Sequence, residues 1–371
     1  MKRPEPHEIH NKTICFFNTN KAWGGGEKWH LEYACGLRDR GYSVCIIAYK
    51  ESPLHKKALE AGIQVFGLKL NNFSFINNFH LREIRKILAQ TTTGFVILNL
   101  ARDLKAGGRA AKQAGIRHRI YRRGSAIPVK NTFLNRYIFK HIVTEIISNS
   151  EETTKTLTCL NPAVSEKKIT VLYNGIDTSK FSPAEKKRKP GGPLVIGNAG
   201  RLSKQKAQHH LIELAEQLTN KGVSFKILVA GDGELHEELT TKTQEKNLQG
   251  HIQWEGFVSD IKSFLQKIDV FVLTSHWEGF GYVLIEAMLC GLPVIAFNTS
   301  SNPEIVKDGK TGYLIPPYDI DKLAEAVERL RVNPAQAREM GQKGRSRALE
   351  MFDFQKALNK LETILQTAVS G

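Results

Sequence analysis

The sequence predicts an α/β chain of two Rossmann-like domains facing each other across a cleft. Three observations carry that prediction. Short, apolar, β-rich runs alternate with segments of helical period along the whole length, the pattern of parallel sheets covered by helices on both faces. A basic Pro-Gly run, EKKRKPGGP at 185–193, interrupts the alternation near the middle. The 371 residues suffice for two domains of about 150–200 residues, each with its own core.

In chain order, strand-like runs fall at 13–18 (TICFFN), 43–49 (SVCIIAY), 63–70 (IQVFGLKL), 95–100 (FVILNL) and 145–150 (EIISNS). Helical patterns lie between them. Residues 27–41 place Trp29, Tyr33, Ala34 and Leu37 on one face, with Gly41 as a stop. The rhythm resumes at 193–200 (PLVIGNAG), 225–231 (FKILVAG), 270–275 (VFVLTS) and 293–298 (PVIAFN).

Composition narrows the class. Hydrophobic residues make up 41% and charged residues 24%, which excludes a disordered or fibrous chain. Five cysteines without a C-x-x-C exclude a disulfide scaffold and a zinc finger. No run of 18 apolar residues exists, and the N-terminal MKRPEPHEIHNK lacks the apolar core of a signal peptide. A cytoplasmic protein is expected. None of the twelve histidines forms a cluster with metal spacing, and His209 and His210 read as helix residues.

The charge is unevenly placed. Of the net +16, residues 1–185 hold 29 basic against 15 acidic, whereas residues 190–371 hold 20 against 22. The excess is densest from Arg102 to Arg123, where Arg102, Lys105, Arg109, Lys112, Arg117, Arg119, Arg122 and Arg123 face one acid, Asp103. Such a patch draws phosphate-rich partners, an anionic membrane surface among them. Only Tyr121 is interleaved with the cations, so the stacking platforms of single-stranded nucleic-acid binding are lacking.

Ligands of open α/β sheets bind beyond the carboxyl ends of the strands. GNAGRLSKQKAQ (197–208) follows a strand, with a helix expected from about Gln205. Arg201 and Lys206 there make a diphosphate clamp beside a helix N-terminus. HWEGFGYVLIEAMLCG (276–291) follows another strand, with a helix expected near Tyr282. Its glycines allow close backbone approach to a ligand. Glu278 and Glu286 are acceptors for vicinal hydroxyls, one suited to a sugar ring and the other to a ribose, and the amides of Gly279, Phe280, Gly281, Tyr282 and Val283 would face the phosphates between them. Glu286 is flanked by apolar residues only, a position where an acid needs a partner.

These residues, with GDGEL (231–235), WEGFVSD (254–260), GLPVIA (291–296), PEIVKDGKTGYLIPP (303–317) and YNGID (173–177), resemble the retaining glycosyltransferases of family 4, glycosyl transferases group 1, which have the GT-B fold. The first half resembles them through AWGGGEKW (22–29) and ISNS (147–150).

The resemblance implies that Arg201 and Lys206 hold the donor diphosphate as leaving group, that Glu278 contacts the transferred sugar, and that Glu286 binds the ribose. It places Gly256, Phe257 and Val258, with the turn of Gly231 and Gly233, near the nucleobase. Gly25 and Gly26 would approach the phosphates from the other domain. It implies a nucleotide-sugar substrate, with a UDP-sugar favoured, and front-face displacement with retention, without metal or cofactor. Asp319-Ile320-Asp321 reads as a helix start. Where many members carry His-Gly, this chain has Arg123-Gly124, so Arg122 or Arg123 is a candidate contact for sugar or acceptor.

The domains expected are 1–185, basic and acceptor-binding; 186–352, nucleotide-sugar-binding; and 353–371, a helix crossing back to the first. The acceptor expected is a lipid-linked or envelope glycan such as lipopolysaccharide core, with the enzyme peripheral on the inner face of the cytoplasmic membrane. A transferase for a soluble acceptor is the alternative enzyme. A nucleic-acid- or anionic-lipid-binding protein on the same scaffold is the alternative outside catalysis.

Overall fold

The computed structural model describes residues 11–184 and 192–370. All but the last two residues of the N-terminal run read for a signal core, and Lys186 to Lys189 of the basic linker, lie outside the described residues. The chain divides into two compact units, residues 1–174 with 355–371, and residues 175–354.

The first unit holds β1 (Thr13–Asn18), α1 (Gly25–Asp39), β2 (Val44–Tyr49), α2 (Pro53–Glu60), β3 (Gln64–Leu68), α3 (Asn78–Gln90), β4 (Thr93–Leu98), α4 (Ala101–Gln113), β5 (His118–Arg123), α5 (Phe133–His141), β6 (Glu145–Ser148), α6 (Glu151–Thr158), α7 (Pro162–Ser165) and β7 (Lys168–Val171). Its seven strands run parallel in the order β3-β2-β1-β4-β5-β6-β7. Every residue of β1 is buried, as a central strand covered on both faces requires. Trp29, Tyr33, Ala34 and Leu37 of α1 are buried together, the face that the periodicity marks. In α4 a Cβ at Gly107 would sit 2.8 Å from the Phe17 ring, so only glycine lets this helix lie so close to β1.

The second unit holds β8 (Leu194–Ala199), α8 (His209–Asn220), β9 (Phe225–Ala230), α9 (His236–Glu245), β10 (Ile252–Gly256), α10 (Ile261–Leu265), β11 (Val270–Leu273), α11 (Tyr282–Leu289), β12 (Val294–Phe297), α12 (Asn302–Ile305), β13 (Gly312–Ile315), α13 (Ile320–Val332) and α14 (Pro334–Met351). Its six strands, also parallel, are ordered β10-β9-β8-β11-β12-β13. The order reverses between β8 and β11, where the crevice of a doubly wound sheet opens. The two units are therefore Rossmann-like, each with its own apolar core.

The division falls before the linker rather than at 185. Residues 175–184 pack with the second unit: the amide of Ile176 donates to the Phe352 carbonyl at 2.8 Å, and the amide of Phe354 donates to the Ile176 carbonyl at 3.0 Å. The last helix, α15 (Phe354–Ser370), groups from Gln355 onward with the first unit. Arg40 fastens it, donating to Asn359 Oδ1 and Gln355 Oε1, each at 2.7 Å, and pairing with Glu362.

The strands that sequence reading passes over are β5, whose HRIYRR offers no apolar run, and β7, β10 and β13, which lie at sheet edges and are partly exposed. An edge strand carries a weaker apolar signal than a central one. The basic run from Arg102 to Arg123 also reads differently in three dimensions. Arg102 donates to the Thr19 carbonyl, Arg109 to the Phe75 carbonyl and Arg119 to the Ile142 carbonyl. Of the eight cations only Lys112 and Arg117 are exposed. The stretch is less a continuous patch than a set of guanidiniums closing off loop carbonyls.

Candidate active site

Two loops of the second unit meet at the switch between β8 and β11. The first runs from Gly200 to Gln208 and the second from Thr274 to Gly281. Gln205 Nε2 donates to the Trp277 carbonyl at 2.9 Å, and the His276 amide donates back to the Gln205 carbonyl at 2.9 Å. Thr274 Oγ1 donates to the Ala207 carbonyl at 3.2 Å. Sequence reading missed these stitches because the polar partners are 67 and 72 residues apart.

Their product is an ion pair. Lys206 Nζ donates to Glu278 Oε1 at 2.6 Å, and Ser275 Oγ donates to the same oxygen at 2.6 Å. Glu278 is 5% exposed. A carboxylate removed from water in this way needs an opposite charge and hydrogen bonds to offset its lost hydration, and Lys206 with Ser275 supplies both. Arg201 differs. Its side chain is exposed and has no hydrogen-bond partner among the described residues, so its five donors face solvent beside the pair's loop.

The helix after Arg201 starts at His209, not at Gln205. Ala207 takes a left-handed φ of 49°, which breaks the helical run before it begins. Lys206 thus sits on a turn, and its aliphatic stem passes 3.3 Å from where a Cβ of Gly200 would be.

Glycines frame this loop from the next strand. A Cβ on Gly231 would lie 1.9 Å from the Gly200 carbonyl oxygen, and one on Gly233 would lie 2.3 Å from that of Leu202. Gly231 donates to the Gly256 carbonyl at 2.7 Å, joining the turn after β9 to the end of β10. Beyond it Phe257 is exposed and Val258 half-buried. In the other loop Gly281 caps α11 with φ 70°, and Gly279 and Val283 are half-buried. Phe280 turns inward, its ring 5.7 Å from Phe352 and 5.6 Å from Tyr282, so only its backbone is offered to a ligand. Glu286 is half-buried on α11 between buried Ile285 and Ala287. Asp319 caps α13 through the Lys322 amide, the helix start expected of it.

In the first unit Gly25 and Gly26 open α1 just after β1. A Cβ on Gly26 would meet Asn99 Nδ2 at 2.9 Å. The side chain of Asn99 also accepts from Arg122 at 3.5 Å, and Arg122 donates to Asn174 at 3.0 Å. Arg122 is buried, with its guanidinium 5.0 Å from the Trp29 ring centroid. Gly26 and Arg122 thus belong to one cluster at the carboxyl ends of β1, β4 and β5. Arg123 does not join it. Its guanidinium is spent on the Ser125 and Ile127 carbonyls and the Tyr121 hydroxyl, so it braces the loop after β5 rather than presenting a free cation to a ligand.

Buried polar groups support the same end of the sheet. Asp103 accepts from the Thr19 and Leu100 amides, and burial pushes its carboxyl up to about 7. His30 Nδ1 lies 2.9 Å from the Gly26 carbonyl; burial, helped by the Arg122 charge, drives that imidazole down to about 3.

Family models match both halves. That of glycosyl transferases group 1 covers residues 180–347, and that of glycosyltransferase family 4 covers residues 23–180. The chain belongs to the family 4 glycosyltransferases. It is 33% identical over 251 residues to CapM, a capsular polysaccharide biosynthesis glycosyltransferase of Staphylococcus aureus, covering 63% of this chain and 64% of that one. It is 32% identical over 212 residues to an Escherichia coli UDP-Gal:α-D-GlcNAc-diphosphoundecaprenol α-1,3-galactosyltransferase, covering 54% of each. This family 4 chain therefore spans less than two thirds of either relative. Anabaena HepE, solved in complex with UDP, superposes with a TM-score of 0.83 at 20% identity over 96% of this chain and 100% of its own, which shows the common GT-B fold.

Proposed function

We propose that this chain transfers a sugar from a nucleotide-diphosphate donor, a UDP-sugar by preference, to a hydroxyl of a lipid-linked or envelope glycan. The observation that carries the reading is the Lys206–Glu278 pair at the switch of the second sheet, its carboxylate buried and its ammonium half-buried, with the Arg201 guanidinium open on the same loop. When the C1–O bond of the donor breaks, negative charge grows on the departing diphosphate and positive charge on the sugar. Lys206 and Arg201 stand for the first, and the Glu278 carboxylate for the second. The amides at the start of α11 add a partial positive end.

Retention follows from front-face attack, in which the acceptor proton passes to a leaving diphosphate oxygen, and the two cations serve in place of a metal at that oxygen. The relatives' names, with UDP-Gal and a polyprenyl diphosphate acceptor in one and capsule synthesis in the other, support the donor and acceptor classes.

An acceptor of that kind sits in a membrane. Among the described residues no helix is long and apolar enough to cross one. The turn before α3 carries Phe73 and Ile76, and the first turn of α3 carries Phe79, with the two phenylalanines 72% and 71% exposed. Lys105 lies 5.7 Å over the adjacent Phe75 ring, and Arg82 follows in α3. Exposed aromatics beside cations suit a peripheral seat on anionic lipid, with the enzyme on the cytoplasmic face.

The deciding experiment incubates the full chain with UDP-, GDP- and ADP-hexoses and a polyprenyl-diphosphate-linked acceptor, with mass spectrometry of the lipid. Transfer from one donor class, absent in Lys206→Ala, supports the reading. A chain that binds no nucleotide in a thermal-shift panel and transfers nothing overturns it. Flotation with vesicles containing about 30% anionic lipid tests the membrane seat separately, with Phe73→Ser/Phe79→Ser as the variant expected to stay in solution.

A further inference from the structure

The fold assembles a histidine cluster that no spacing along the chain reveals. His209 and His210 begin α8, and His276 stands in the loop after β11. Each offers one ring nitrogen, and these nitrogens all lie within 4.8 Å of one another. The expectation that the histidines form no cluster is therefore corrected. Two of the three are neighbours in sequence, and the third arrives only when β8 and β11 pair.

His210 is 7% exposed, with its ring edge-on to Phe297 at 5.4 Å. Its Nδ1 lies 2.8 Å from Glu213 Oε2, while its Nε2 is buried with no hydrogen-bond partner among the described residues. His276 likewise buries an Nδ1 that has no hydrogen-bond partner among the described residues. Buried polar nitrogens are satisfied as a rule, so two open ones side by side call for a ligand. An imidazole held by a carboxylate through one nitrogen, with the other left open, is how metal-bound histidines are oriented.

We propose that His209, His210 and His276 bind one first-row transition-metal ion, with Zn²⁺ the best match to three imidazoles. The ion staples the loop after β8 to the loop after β11. At Zn–N distances of about 2.0–2.1 Å, tetrahedral nitrogens stand about 3.3 Å apart, so the rings draw together slightly as the ion enters, and water completes the shell. Glu213 orients His210 from outside the shell. Lys206 lies just ahead of His209, and Glu278 just after His276, so the ion sets the two loop backbones from which that pair extends. It adds no step to the transfer.

The test uses the full chain stripped with a chelator, then titrated with Zn²⁺ against a chromogenic competitor and with Co²⁺ by visible absorption. One equivalent should bind, with the d–d bands of a four-coordinate site for Co²⁺. His210→Gln and His276→Gln should each weaken binding about 100-fold or more, Glu213→Gln about 10- to 100-fold, and the distant His141→Gln not at all. X-ray absorption of the Zn²⁺-loaded wild-type chain, which needs no variant, should count three imidazoles at about 2.0 Å. Binding that is undiminished in both His210→Gln and His276→Gln, or a shell with fewer than three imidazoles, overturns the proposal, as does the absence of stoichiometric binding.

Discussion

The ammonium of Lys206 rests 2.6 Å from a carboxylate oxygen of Glu278, although 72 residues separate the two in sequence. Neither group is placed by its own loop alone. Each loop is stitched to the other by Gln205, Thr274 and the His276 amide, so the pair reports on the register of two strands as well as on chemistry.

Removing either partner should therefore act twice. Lys206→Ala leaves Glu278 buried with Ser275 as its remaining donor, and Glu278→Ala leaves a half-buried ammonium. We expect each to lower kcat/KM by about 10²–10³-fold and stability by about 1–3 kcal/mol. The double variant should be less destabilised than the sum of the singles, because the charge left behind by each single is gone. Steady-state kinetics beside urea melts would show this. Additive stability losses would mean that the two groups do not interact.

Arg201→Ala should separate binding from folding. The guanidinium is exposed and bonds to nothing among the described residues, so the melting temperature of the free protein should change by less than about 0.5 kcal/mol equivalent. The stabilisation conferred by a saturating nucleoside diphosphate should shrink, since two or more charge-assisted bonds are lost. A thermal-shift titration with UDP on both proteins measures both effects. An unaltered UDP response would remove Arg201 from the diphosphate clamp.

Gly231→Ala should fail for backbone reasons. At φ 142°, the added methyl would fall 1.9 Å from the Gly200 carbonyl, and that carbonyl belongs to the loop carrying Arg201 and Lys206. We expect weaker nucleotide affinity together with a loss of about 1–3 kcal/mol in stability. Gly250→Ala, where a Cβ meets nothing within 4 Å, is the control that should leave both unchanged.

Asp103 should leave a signature in the pH dependence of stability. Its folded pKa of about 7 exceeds its usual value of 3.8. Between about pH 4 and 7 the folded state thus holds a proton that the unfolded state has released. Its contribution is full below pH 4 and is lost as pH rises through 7, up to about 4 kcal/mol in all. His30, lowered to about 3, has the opposite sign: it favours folding increasingly as pH rises from about 3 to 6.5. The check is the difference between wild type and Asp103→Asn in urea melts at pH 5, 6, 7 and 8. The advantage of the wild type should fall steadily across the series, whereas a flat difference would place the Asp103 pKa near its ordinary value.

Most central strands and the functional loops are legible in the sequence because both are written locally; β5 is the exception, since three arginines in HRIYRR hide a strand that is central in the sheet. A run such as TICFFN is buried on every residue, and the loop after each strand starts where that run stops. Three of the four edge strands, Lys168–Val171 among them, are not legible, since half-exposed residues dilute the apolar signal. Lys206 was found, but its helix was started too early: the left-handed turn at Ala207 has no glycine or asparagine to announce it. Arg122 and Arg123 looked alike on paper. Only the loop geometry shows that Arg123 is taken up by carbonyls while Arg122 sits with Asn99 and Asn174. Ser275, Gln205 and His276 gain their meaning from partners on another strand, which no local pattern encodes.

The fastening of α15 by Arg40 has a consequence for biosynthesis. The first unit is discontinuous in sequence, with Leu358, Leu361 and Leu365 buried in its closing helix. On the ribosome, residues 11–174 emerge early, yet the whole second unit must be made before that helix arrives. The nascent amino-terminal sheet then waits with the seat of α15 uncovered, while the second unit, complete at residue 354, can finish first. Translation speed through residues 175–354, or a chaperone covering that seat, therefore bears on the yield of folded protein. A stop codon between Gln355 and Leu358 would leave the second unit intact and the first without the buried leucines of its closing helix.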